Sequence, residues 1–319
     1  MIQPWILAVG IVVVVLGVSY GVRNQIYELV SPGANPSDAV RPTVWWVVDD
    51  SQVNARQWLD WGNRSTREPN EPYLQLTLAR ARALWEPVFK VEPVVGRLAA
   101  LQRLEAAGVV VPEGADRAPP ALWMPYCRAA FLGRLGGLWI DGSSLPVAGG
   151  VGLRKTVGAA PAMAFGADPE EALAAASQGA EKGPAAGWTA GWAAVPGHPA
   201  WAGMEHDLGA VIAEGDQSWS APAARRTLRS QWEKHGAGVV PVDRRAEVAR
   251  DKYGRLLTFD VLFDQTEWTN GSLDGGYWVA MPGGRDGLER ASAWAWFMRM
   301  SEPQIRESEF NWARWATRT

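Results

Sequence analysis

Met124-Pro-Tyr-Cys-Arg-Ala-Ala-Phe-Leu-Gly-Arg-Leu-Gly-Gly-Leu-Trp-Ile-Asp-Gly-Ser-Ser-Leu-Pro146 is the stretch that decides the fold. Its first half keeps apolar residues at helical spacing through Leu135, and Gly136-Gly137 is a helix stop. Leu138-Trp139-Ile140 then reads as a buried strand that ends at Asp141, placing one carboxylate at a strand tip. An Asp before Gly is also ordinary turn chemistry, so the position alone does not separate a ligand from a turn former.

Upstream, Thr43 to Val48 is a short apolar, β-branched and aromatic run closed by Asp49-Asp50-Ser51, which predicts a buried strand. Leu74 to Trp85 has helical spacing and is stopped by Pro87, a second strand is expected over Val88 to Val95, and Arg97 to Ala107 reads as a further amphipathic helix. Gly108 to Pro120 is a connection rich in Pro, Gly and Ala, and the Ala-rich stretch Glu170 to Ala180 reads as helix. Strand, helix, strand in this order predicts a mixed, mainly parallel α/β sheet flanked by helices, with ligands beyond the carboxyl ends of its strands.

The chain has 319 residues, 47% of them hydrophobic and 20% charged, enough for a well-buried core. A net charge of -3 supplies no basic field, and no Lys/Arg cluster interleaves with aromatics, which argues against nucleic-acid binding. The single Cys127 cannot form an internal disulfide, and three histidines, His198, His206 and His235, are too few for a His-rich metal centre. The 19 tryptophans suit a core, a sugar platform or an interface equally.

Trp5 to Val22 is uncharged and rich in Val, Ile and Leu, at about the 18 residues that make a membrane-spanning helix credible. No basic segment precedes it and no small-residue cleavage site follows, so an uncleaved anchor over residues 1–23 is expected rather than a signal peptide. Arg23 favours the cytoplasmic side for the domain, whereas the sequons at Asn63 and Asn270 would suit a lumenal one. Pro32, Gly33, Pro36 and Pro42 mark residues 24–41 as a linker, which leaves 42–319 as the domain.

The stretch quoted at the outset resembles a segment of the family 32-type and capsular-polysaccharide-synthesis glycosyltransferases. That segment runs Asp-x-x-Arg, apolar helix, Gly-Gly, apolar strand, then Asp-x-Asp or Asp-x-Thr. Arg128, Gly136, Gly137, Trp139 and Asp141 match it. Val44-Trp45-Trp46 is similar to the family's first strand, and Gly187 to Trp201 to a later strand-turn-helix, so the likeness spans roughly residues 42 to 232. The resemblance implies a GT-A-like nucleotide-diphospho-sugar transferase, retaining in stereochemistry, with a nucleotide-sugar donor and a glycan or lipid-linked acceptor. It further implies a divalent metal, Mn²⁺ or Mg²⁺, held by Asp141 with Ser143, the diphosphate on Arg128, and the base against Trp45 or Trp46. A hard cation on oxygen ligands would neutralise the departing diphosphate.

Two positions depart from the pattern. Pro125 replaces the acid of Asp-x-x-Arg, and Ser143 replaces the second acid of Asp-x-Asp. These losses, with the many tryptophans, fit an alternative: a catalytically degenerate structural subunit of a larger membrane-associated protein assembly. Asp49 and Asp50 are further candidates for a nucleotide or metal, although turn carboxylates are commonly just solvated. His198 reads as a turn residue. Asp264, Asp274 and Gly275-Gly276-Tyr277-Trp278 read as a hairpin turn or an acceptor cleft, and Ser292 to Trp315 as core.

Overall fold

The computed structural model describes residues 41–48, 71–165, 191–215, 230–231, 233–242, 247–248, 257–265, 276–282 and 284–317. Pro42–Thr319 forms one compact unit. The expected anchor at Trp5–Val22, along with Asp49, Asp50, Asp274, both sequons and the Ala-rich stretch, lies outside the described residues. Among the described residues no helix is long and apolar enough to cross a membrane.

The described elements run in the following order: β1 (Thr43–Val48), α1 (Pro72–Trp85), β2 (Lys90–Val95), α2 (Gly96–Ala106), α3 (Pro120–Ala130), β3 (Gly137–Asp141), β4 (Leu145–Pro146), α4 (Gly150–Val157), β5 (Ala162–Ala164), β6 (Gly191–Ala194), α5 (Pro199–Ala213), β7 (Val240–Pro241), β8 (Glu247–Val248), α6 (Phe259–Leu262), β9 (Trp278–Val279), α7 (Gly284–Arg290), α8 (Glu302–Glu307) and α9 (Asn311–Thr317). Six strands form the main sheet in the order β2-β1-β3-β6-β5-β7. Five run the same way; β6 alone opposes its two neighbours, β3 and β5. A mixed, mainly parallel sheet flanked by helices is therefore present.

Helices cover both faces because the strand residues are apolar on both sides. Val44, Trp46, Val48, Leu138 and Ile140 join one core with Leu74, Trp85 and Leu153 of α1 and α4. Trp45, Val47 and Trp139 join the other with Ala100, Leu104, Leu122, Trp201 and Leu208 of α2, α3 and α5. The C-terminal run is core, as expected: Phe297, Phe310, Trp312 and Trp315 are buried with Tyr73 and Phe263 in the first of these clusters.

Three local readings are corrected. The second strand begins at Lys90 rather than Val88, because Val88 and Phe89 donate to the Trp85 carbonyl and complete a turn after α1. The helix read through Leu135 is α-helical only to Ala130 and closes as a π-helical turn, Phe131–Leu135, which Gly136 terminates at φ 66°. Trp278 is not in a hairpin. Its strand is the centre of a small sheet, antiparallel to β4 and parallel to β8, both remote in sequence.

Candidate functional site

The connection from β1 to β2 moves one way across the sheet through α1, and the connection from β2 to β3 moves back past β1 through α2 and α3. A switch point therefore falls between β1 and β3, and a crevice opens outside the carboxyl ends of strands at such a point. Asp141 is the last residue of β3 and pairs with Val47, next to the end of β1.

A tight turn follows. The Gly142 amide donates to the Val47 carbonyl at 2.7 Å, Ser144 donates back to the Asp141 carbonyl at 3.0 Å, and Thr77 of α1 donates to the Gly142 carbonyl at 2.6 Å. Within it, Asp141 Oδ1 accepts from the Ser143 amide at 2.8 Å and from the Ser143 hydroxyl. Asp141 is thus both turn former and strand-tip carboxylate. Ser144 Oγ is buried in this turn with no hydrogen-bond partner, as is Trp46 Nε1.

The other carboxylate oxygen faces Gly284, the first residue of α7; a Cβ built there would stand 3.0 Å from Oδ2. The next residue, Arg285, is buried. Its Nε lies 2.9 Å and 3.0 Å from the two Glu71 carboxylate oxygens, its Nη2 donates to Glu71 at 2.6 Å and its Nη1 to Glu289 at 3.1 Å. Glu71 sits at the N-cap of α1 without capping it, because its carboxylate is turned to Arg285. Burial first, then the Glu71 charge, pushes the Tyr73 hydroxyl well above its ordinary value, with Asp141 adding to the rise. That hydroxyl stays protonated.

The residues expected to bind a nucleotide-sugar are not gathered into one open cleft. Trp45 and Trp46 are 7% and 2% exposed, and strand alternation puts them on opposite faces of the sheet, one in each core. Trp45 Nε1 is committed to the Gly136 carbonyl at 2.7 Å, and its ring meets Phe131 edge-on at 5.0 Å. Both indoles are packed into the cores and neither presents an exposed face. Arg128 stands over the Trp192 ring, with Cζ 4.8 Å from the centroid, on the strand beside β3. Burial pulls its guanidinium down to about 10. Trp192 pairs with Trp139, two residues before Asp141.

Ser143 and Asp141 are brought together, but among the described residues no group of three His, Cys, Asp or Glu side chains could hold a metal. A single carboxylate nevertheless suits a metal that arrives with a diphosphate, since Mg²⁺-type cations take one or two carboxylates and fill the remaining positions from phosphates and water. His198 occupies the N-cap of α5, where its side chain makes no cap hydrogen bond and its backbone carbonyl accepts from Trp201 and Ala202.

Sequence reasoning missed Glu71, Tyr73, Gly284 and Arg285. Their only local signals are a Glu-Pro pair opening a helix and a Gly-Gly-Arg run, neither of which points at the other.

Compared with protein-family models, curated proteins and solved structures, the chain matches none.

Proposed function

We propose that the domain is GT-A-like and belongs to a membrane-anchored glycosyltransferase that moves a sugar from a nucleotide-sugar to a glycan or membrane-linked acceptor. The observation that carries this reading is the placement of Asp141 at the carboxyl tip of β3, beside the switch between β1 and β3. A strand-tip carboxylate at a switch point is where an α/β sheet binds its ligand. Asp141 would hold a divalent metal, as the one carboxylate among the described residues at this strand tip, and the metal would supply charge neutralisation to the diphosphate leaving group. Ser143 fixes the carboxylate through Oδ1, and Arg128 would supply the second positive charge.

A structural role favours itself through a different observation. Arg128 is desolvated against Trp192, and both Trp45 and Trp46 are core residues, as in a domain that has kept the scaffold and lost the site. Calorimetric titration with a panel of nucleotide-sugars, with and without Mn²⁺, decides between the two. Metal-dependent binding supports the transferase, and no binding at millimolar ligand supports the structural subunit.

A further inference from the structure

We infer that Gly284 and Arg285 are positioning residues for Asp141, so that the C-terminal part of the chain sets the direction of the strand-tip carboxylate; this rests on the function proposed above. Oδ1 is held from one side by the Ser143 amide and hydroxyl. Oδ2 faces the bare Cα of Gly284, where a Cβ would stand 3.0 Å from Oδ2, so that a side chain there pushes the carboxylate aside by a few tenths of an ångström, and φ of +64° strains any residue but glycine. The residue after Gly284, Arg285, is held in the buried pair with Glu71 at the start of α1, which anchors this end of α7. The Gly284 amide is likewise tied back to the Met281 carbonyl at 2.8 Å. The carboxylate is therefore clamped between its own turn and the first turn of α7. Such outer contacts orient a metal ligand, and their loss typically lowers metal affinity about 10- to 100-fold.

Gly108 supplies a matched control. It too has a left-handed backbone, φ +74°, but a Cβ there meets nothing within 4 Å. Gly108→Ala therefore reports the backbone strain alone, while Gly284→Ala adds the collision with Asp141.

The experiment titrates Mn²⁺ with UDP, and in parallel GDP, into the unaltered chain, Gly108→Ala, Gly284→Ala, Arg285→Lys and Arg285→Met, and records each melting temperature alone and with Asp141→Ala. Mn²⁺–nucleotide affinity should fall at least about tenfold in Gly284→Ala and Arg285→Met. It should stay unchanged in Gly108→Ala and return in part with Arg285→Lys. The extra melting loss of Gly284→Ala over Gly108→Ala should vanish in the Asp141→Ala background. Equal affinity in the two glycine variants, with binding still lost in Asp141→Ala, overturns the positioning role and leaves the proposed function standing. No Mn²⁺–nucleotide binding by the unaltered chain overturns the proposed function and the positioning role together. An extra melting loss that persists without Asp141 refutes the contact itself.

Discussion

Glu71 and Arg285, 214 positions apart, meet in a buried pair with Nη2 and Oε1 at 2.6 Å, side chains 10% and 9% exposed. The pair ties the start of α1 to the first turn of α7, and so connects the amino-terminal strands to the C-terminal segment around the strand tip. Removing Arg285 leaves the Glu71 carboxylate buried without its partner, a loss of about 3–5 kcal/mol, whereas removing Glu71 leaves Arg285 with Glu289 at 3.1 Å. Arg285→Met should lower unfolding free energy on that scale in urea titrations, and Glu71→Gln by less, because Glu289 still pairs with Arg285. The double replacement Glu71→Leu with Arg285→Met should recover most of it, since an apolar pair of similar volume replaces a desolvated ion pair at little net cost.

Gly137 opens β3 with φ +99°, and a Cβ there would lie 2.3 Å from the Thr43 carbonyl oxygen on β1. Nothing flexible can yield, because the obstacle is the backbone of the neighbouring strand. Gly137→Ala should destabilise by about 2–4 kcal/mol through strain and overpacking. An unfolding midpoint equal to that of the unaltered chain would mean that β1 and β3 do not pair in this register.

The difference between what was legible and what was not follows from sequence distance. Gly136-Gly137, the strand Leu138–Ile140 and the carboxylate at its end are determined within a few residues by helix stop, apolar run and turn chemistry. The order of strands and helices then gives the sheet. The site is another matter. Trp45 and Trp46 look like a ligand wall because they are adjacent aromatics before a polar turn, yet period-two alternation sends one indole into each core. Gly284 becomes a neighbour of Asp141, and Arg285 of Glu71, only through tertiary packing, and no local pattern announces that.

His198 is 9% exposed, and burial lowers its pKa below the ordinary 6.5, so it is neutral in the fold. A base with a depressed folded pKa binds more protons when unfolded, so stability rises with pH across the interval between the two values. This contribution is therefore complete above about pH 6.5 and is lost as pH falls below it. His198→Asn should flatten that part of the curve of melting temperature against pH between 7 and 5, and an unchanged slope would mean that His198 is not the titrating group.

Asp141 is where the transferase and structural readings part. Asp141→Asn keeps the Oδ1 acceptor for the Ser143 amide and hydroxyl, so the turn survives and only the charge is lost. Asp141→Ala also leaves the 1% exposed Ser143 hydroxyl without its acceptor, which should lower stability by about 1–2 kcal/mol. Stability should therefore fall in Asp141→Ala and barely change in Asp141→Asn. If Asp141 holds a metal for a nucleotide-sugar, both variants should lose metal-dependent binding to a similar extent, because a neutral amide is a poor ligand for a hard cation. If Asp141 only shapes the turn, the unaltered chain binds no nucleotide-sugar at millimolar concentration, and the two variants differ in stability alone. Arg128→Gln separates the readings again. Under the transferase reading it weakens nucleotide-sugar binding by about 2–3 kcal/mol, the scale of a hydrogen bond to a charged group, and leaves the melting temperature of the ligand-free chain nearly unchanged. A fall in both together would mean that Arg128 acts through the packing of α3 on Trp192 and not on the diphosphate.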